Sequence, residues 1–159
     1  MGVRTYHIEK DAVKGDYHIK DKTIPYTKLQ ENTIEFYVSL MSISTIRGLP
    51  ADSTGVKAVS GLSNILKKHI KEAKLIANIS SIPSDATVRV ELYDNTKGTV
   101  IASLEFAGET GRKETSVDLS TVNDGDELVL RANVTTASGT SGATFDIWYA
   151  SFVVKIGIS

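Results

Sequence analysis

The chain has no cysteine, a single tryptophan, three prolines in 159 residues, and no surplus of either charge. Each shortage excludes something. Without thiols there is no disulfide scaffold, no thiolate nucleophile and no cysteine-bearing zinc site. Lys+Arg number 18 and Asp+Glu 19, so the domain exerts no overall electrostatic pull on nucleic acid or an anionic membrane. Nucleic acid is therefore not an expected partner. No apolar run approaches the roughly 20 residues that a membrane-spanning helix needs. The richest stretch, Ile147 to Ile158, is short and broken by Ser151 and Lys155. The N-terminal stretch Met1 to Lys22 is polar and lacks the apolar segment of a secretory signal, so no signal peptide is read there. The nucleophile elbow, the zinc-protease helix, the phosphate-binding loop and the dinucleotide fingerprint are all missing.

What is present belongs to a folded chain. Hydrophobic residues make up 41%, too many for a disordered polypeptide, and the length suits one domain. Serine and threonine number sixteen each. Residues 1–31 carry little pattern, and read as a polar N-terminal arm or a small hairpin echoing Tyr6-His7-Ile8 at Tyr17-His18-Ile19. Residues 32–159 read as the single structured domain.

Within that domain strand signals dominate. Ile34, Phe36, Val38 and Leu40 alternate with polar positions, as a half-buried strand requires. Arg47 to Gly55, with two glycines and a proline, reads as a loop. Leu62, Ile65, Leu66, His69 and Ile70 share one face at helical spacing, with Ser60 as a cap, so a short helix is expected near 60–71. Beyond it a strand pattern, Ala73-Leu75-Ala77-Ile79, competes with continued helix and is preferred. Strands are then expected around Val88 to Leu92, Val100 to Phe106, Thr115 to Leu119 and Leu128 to Val134. Turns rich in Asp, Asn and Gly separate them, with Gly108 to Glu114 as a polar loop. The last strand, from Thr144, is apolar in both phases: Phe145, Ile147, Tyr149 and Val153 in one, Trp148, Ala150, Phe152, Val154, Ile156 and Ile158 in the other. Either a bulge switches the inward face, or both faces are covered, one of them by another element or chain. The expected fold is mainly β: an antiparallel, jelly-roll-like β-sandwich with that one short helix.

Chemistry is harder to find. His7, His18 and His69 are the only histidines, and no catalytic constellation or cofactor site is read from the chain. Its acids fall in turns, where Asp ordinarily accepts a local backbone hydrogen bond. Asp124 and Asp126 are candidate ligands for a hard cation such as calcium. Asp146, flanked by Phe145 and Ile147, is the most unusual acid. Asn78-Ile79-Ser80 and Asn133-Val134-Thr135 match the glycosylation pattern, but both fall within strands.

The strand rhythm V-R-V-E-L-Y-D-N-T-K-G-T-V-I-A-S-L-E-F, then T-S-V-D-L-S, D-G-D-E-L-V-L-R-A and F-D-I-W-Y-A-S-F, resembles that of carbohydrate-binding jelly-roll modules over residues 84–154. It is similar, too, to that of small viral capsid, turret and fibre jelly rolls and of surface-filament subunits. The first resemblance implies a carbohydrate or other ligand. Tyr93, Asp94 and Asn95 of the hairpin, with Arg112 and Lys113 of the polar loop, are then the candidate contacts. Such modules commonly stack sugar rings on loop aromatics, but Gly108 to Glu114 has none and Trp148 reads as core. The second implies a non-enzymatic subunit of a virion or surface structure, forming a homo-oligomer or joining other protein subunits. Its interface would be the second phase of the last strand: Trp148, Ala150, Phe152, Val154, Ile156 and Ile158. An apolar strand left open invites association. The assembly reading leads and the carbohydrate reading is its alternative.

Overall fold

The computed structural model describes residues 35–62 and 67–157. The N-terminal segment 1–31, with His7 and His18, and Ile158 lie outside the described residues. Among the described residues nine strands follow one another: β1 (Glu35–Ile43), β2 (Ile46–Pro50), β3 (Gly55–Leu62), β4 (Ile70–Ser81), β5 (Thr87–Asp94), β6 (Thr99–Ala107), β7 (Gly111–Ser116), β8 (Leu128–Thr136) and β9 (Thr144–Gly157).

All pairings are antiparallel. One sheet, here called A, runs β1-β9-β4-β7, with β2 also paired to β9; the other, B, runs β3-β8-β5-β6. Consecutive strands cross between sheets except at β1–β2 and at the β5–β6 hairpin. With β2 counted as a continuation of β1 along β9, this is the eight-stranded, double-sheet jelly roll.

Alternation builds the core. Ala73, Leu75, Ala77 and Ile79 of β4 face Val88, Val90 and Leu92 of β5 and Leu128, Leu130, Ala132 and Val134 of β8, all of them buried. Phe106, Phe145 and Phe152 are the largest fully buried side chains among the described residues. Burying each stabilises the fold by about 1.5–3 kcal/mol.

Three expectations change. Of the helix expected near 60–71, residues 63–66 lie outside the described residues; among the described ones Ser60, Gly61 and Leu62 belong to β3, Lys67–His69 form a 3-10 turn, and Ile70 and Lys71 open β4. Gly61 weakens any helix, and pairing of Ala58 to Leu62 with β8 outweighs the local pattern. The loop expected over Arg47 to Gly55 instead contains β2 and the start of β3. Gly48, at φ 70°, lets the backbone bulge there, and its N–H donates to Asp146 Oδ1 at 2.8 Å. That bond explains the unusual acid. Part of the expected polar loop 108–114 is likewise strand, in β7.

The two phases of β9 are reconciled by a bulge. Tyr149 pairs with Asn78 and Ile147 with Ile79, so Trp148 has no partner on β4. Phe145 and Ile147 point inward before it; Ala150, Phe152 and Val154 point inward after it.

Candidate functional site

Extruding Trp148 places the only tryptophan on the outer face of sheet A, 53% exposed. Its expected place in the core is thus corrected: one residue must be expelled where the inward phase changes, and Trp148 is that residue. Thr45 anchors the bulge by donating its hydroxyl to the Trp148 carbonyl at 3.0 Å. Tyr149, half-buried beside it, opposes Asn78, which in turn opposes Arg112 on β7. The neighbouring row is Ser42, Ser151, Ile76 and Glu114.

The polar groups of this face divide into two kinds. Arg112 is engaged: its ion pair with Glu114, and secondarily the Tyr149 hydroxyl, hold the guanidinium above its ordinary pKa. Glu114 is lowered by the same Arg112, with Lys74 contributing at 3.6 Å. By contrast, the indole N–H of Trp148, the Asn78 carboxamide and the Ser42 and Ser151 hydroxyls make no hydrogen bond within the described residues. An exposed aromatic plane with uncommitted donors and acceptors around it can stack on an apolar ring face while bonding its polar edge.

On sheet B the outer face is closed over its own charges. Glu91, 4% exposed, accepts from Arg131 Nε at 2.7 Å, and the Arg131 guanidinium lies 3.6 Å from the Tyr93 ring centroid. Arg89 binds Glu105. An apolar stripe nonetheless crosses this sheet, because Gly61, Val129, Tyr93 and Val100 are successive cross-strand neighbours, with Val59 beside them. Val59 is 61% and Val100 48% exposed.

The five candidate ligand contacts do not come together. Tyr93 lies under Arg131. Asp94 is buried and holds Lys97 Nζ at 3.3 Å, and Asn95 donates to Glu127 at 3.2 Å. Arg112 is on the opposite sheet, and Lys113 turns from it to lie 5.0 Å from the Phe106 centroid and to pair with Glu109. Of the six candidate interface residues, Ala150, Phe152 and Val154 are buried within the chain's own core, Ile156 packs against that core, and Trp148 is exposed.

The candidate calcium ligands have other partners. Asp126, buried, receives the Lys97 ammonium and the Asn123 N–H, the latter at 2.7 Å. Asp124 accepts from the Lys67 N–H at 2.9 Å. A lysine thus stands where a cation would, also donating to Thr121 O at 2.8 Å. No group of three or more potential metal ligands occurs among the described residues. An open depression of about 450 Å³ lies between Lys67–Ala73 and Val117–Ser120. Its acids are committed: Asp118 accepts from Ser120 N and Oγ, which lower its pKa, and Glu72 binds Tyr37 and Lys155.

Asn78 was marked in the sequence only by its glycosylation pattern, which says nothing of its place beside Tyr149 and Arg112. Trp148 did carry a signal: it sits at the phase change of β9. No family model matches the chain, and no curated protein does. Solved structures similar to it include one described as BiXyn10A CBM1 in apo form (14% identity, 74% of this chain and 95% of that one, TM-score 0.38). Another is the C-terminal CBM6 of LamC, a marine laminarinase from Zobellia galactanivorans (9%, 78% and 100%, TM-score 0.38). A third comes from Bacillus endospore appendages, described as disulfide-linked pili (9%, 82% and 96%, TM-score 0.34). The chain is thus weakly similar to carbohydrate-binding modules and to a pilus protein, and it is an antiparallel β-sandwich.

Proposed function

We propose that the chain is a non-enzymatic β-sandwich subunit of a larger assembly, such as a virion or a surface structure. The observation that carries this reading is the apolar stripe across sheet B, from Val59 at one edge to Val100 at the other. Single exposed apolar residues are ordinary; here Val59 and Val100 stand exposed at the two edges of the sheet, with half-buried Val129 and the Arg131-covered Tyr93 between them, and apolar groups gathered on one sheet face favour an interaction surface. The carboxylates support the same reading, since Asp52, Asp85, Asp118 and Asp146 are each spent on backbone N–H groups. Light scattering on the full chain tests it: self-association that grows with concentration is expected, and a strict monomer throughout refutes it.

A second reading has its own observation. The exposed Trp148, with the uncommitted groups of Asn78, Ser42 and Ser151, suits a carbohydrate, whose ring presents an apolar face and hydroxyl edges. Arg112 is neutralised by Glu114, so the ligand favoured is uncharged. Trp148 is the only tryptophan, and its fluorescence reports occupancy directly. Titration with neutral oligosaccharides should shift that emission, and Trp148→Ala should abolish binding measured by calorimetry. A blank glycan array sinks this reading and leaves the first intact.

A further inference from the structure

A sheet edge left open is a template for another strand, and soluble proteins blunt such edges with charge, proline, bulges or cover. Four edges bound this sandwich, and three are blunted. The β1–β2 edge has a bulge at Leu40, another at Gly48, and Pro50 at its end. Along β7 the row Arg112-Lys113-Glu114 is charged. The β6 edge bulges at Ile101, carries Glu105, and has the Glu105 carbonyl capped by Lys113 Nζ at 2.7 Å.

The fourth edge, β3, differs. It pairs only with β8 among the described residues. Its one bulge, at Lys57, lies near the start, where the ammonium folds back to Ser53 Oγ at 2.9 Å. After it come five residues, Ala58-Val59-Ser60-Gly61-Leu62, in unbroken register with β8. They include no charge, no proline and no bulge.

We propose that this segment is a self-association edge, and that its occupant is the same segment of a second copy, paired antiparallel about a two-fold axis at Ser60. The proposal rests on the assembly reading and names its interface. Three features select the second copy and this register. A two-fold axis at Ser60 pairs Ala58 with Leu62 and Val59 with Gly61, using all five residues and leaving Lys57 outside the ladder. It sets Val59, 61% exposed, against Gly61, whose missing side chain leaves open space, a Cβ there meeting only Leu128 O at 4.0 Å. And because the segment is uncharged, no like charges oppose each other across the axis. The pairing would join two four-stranded B sheets into one continuous sheet, in a closed two-fold dimer.

The absence of cysteine makes the register testable. Directly opposed residues in an antiparallel pair have Cα atoms about 4.5–5.5 Å apart, within the roughly 4.4–6.8 Å of a disulfide, whereas diagonal neighbours at about 7–8 Å fall outside. On the full chain, Ser60→Cys should give a covalent dimer on mild oxidation. Val59→Cys alone should not, but mixed with Gly61→Cys it should. Val59→Lys, at an exposed position, should halve the mass seen by light scattering with an unchanged circular dichroism spectrum. If the chain associates but Ser60→Cys does not cross-link and Val59→Lys leaves the mass unchanged, the β3 edge is not the interface and this inference is overturned, while the assembly reading survives. The same result follows if the chain's own N-terminal segment covers the edge. A chain that stays monomeric at every concentration overturns both.

Discussion

Deleting Trp148 should leave the fold intact, although it shortens the most central strand of sheet A by one residue. Removing one residue from a strand ordinarily turns every later side chain to the other face. In β9 the opposite holds, because the strand already contains one residue too many. With Trp148 gone, Ile147 and Ala150 become separated by Tyr149 alone, so Phe145, Ile147, Ala150, Phe152 and Val154 fall in one inward phase, and Asn78 and Ile79 of β4 meet consecutive residues of β9 without the bulge between them. On the other side of β9 the mismatch falls at Ser44 and Thr45, which lie between β1 and β2 and take no part in the ladder. What is lost is one hydrogen bond, Thr45 to the Trp148 carbonyl, at about 0.5–1.5 kcal/mol, and the buried half of the indole, at about 1 kcal/mol. A net loss of about 1–3 kcal/mol is expected. Were the bulge not what reconciles the two phases, the deletion would drive Phe145 and Ile147 outward, at about 3–6 kcal/mol for the two, much of the roughly 5–15 kcal/mol that stabilises a domain. Urea unfolding followed by far-UV circular dichroism separates the cases, since tryptophan fluorescence is lost with the residue. A small fall in midpoint at constant slope agrees with the bulge. A chain that is unfolded without urea, or one destabilised by 5 kcal/mol or more, refutes it.

Two further predictions concern parts of the fold away from β9. Lys97 joins the β5–β6 hairpin to the turn around Asp126, which lowers the Asp126 pKa and raises that of Lys97. The Asp126 contribution is present above its ordinary 3.8 and lost as pH falls through the lowered folded value. That of Lys97 is present below 10.5 and lost as pH rises through the raised one. The urea midpoint should therefore fall on the acid side, and in Lys97→Met, where two carboxylates face each other without their cation, mild acidification should raise it instead; an unchanged acid limb in the variant would count against the cage. Gly108 sits at φ 68° with its absent Cβ position jammed against the Ser84 backbone, whose Cα and C would lie 2.9 Å away, whereas Gly98 at φ 70° has only the Tyr93 hydroxyl at 3.7 Å. Gly98→Ala should cost only the left-handed strain of about 1–2 kcal/mol, Gly108→Ala clearly more, and equal midpoints for the two would contradict the packing described.

The fold was legible where hydrophobic alternation is not contested by another period. β5, the inward half of β6, β8 and most of β4 follow directly from Val88-Val90-Leu92, Leu104-Phe106, Leu128-Leu130-Ala132-Val134 and Leu75-Ala77-Ile79. It was illegible at β2 and β3, which have no strong alternation of their own. Gly48 and Pro50 suit an edge, Val56 and Val59 face solvent, and the inward positions of β3 are filled by Ala58 and Ser60. Their strand state is imposed by β9 and β8, through pairings that span much of the chain. The same tertiary pairing holds Ser60 to Leu62, where the helical spacing begins, in the ladder with β8.

The site was illegible for a different reason. Cross-strand rows are set by topology, and a chain read linearly cannot see that Asn78 lies between Tyr149 and Arg112. Nor can it see that Arg112 and Lys113, adjacent in sequence, point to opposite faces of β7, so that only the first reaches the exposed face of sheet A. The phase change of β9 was visible, but its consequence runs opposite to the simplest reading of an apolar strand. Ala150, Phe152 and Val154 are satisfied within the chain, and what the strand presents outward is the residue it had to expel. Association therefore has to be sought away from the β9 core phase, and the edge with an unbroken five-residue run free of charge, proline and bulge is on the other sheet, at Ala58 to Leu62 of β3. The Trp148 face and the β3 edge belong to different sheets, so occupying one does not block the other. A variant defective at Val59 should accordingly keep any carbohydrate binding at Trp148, and one defective at Trp148 should keep the β3-dependent mass.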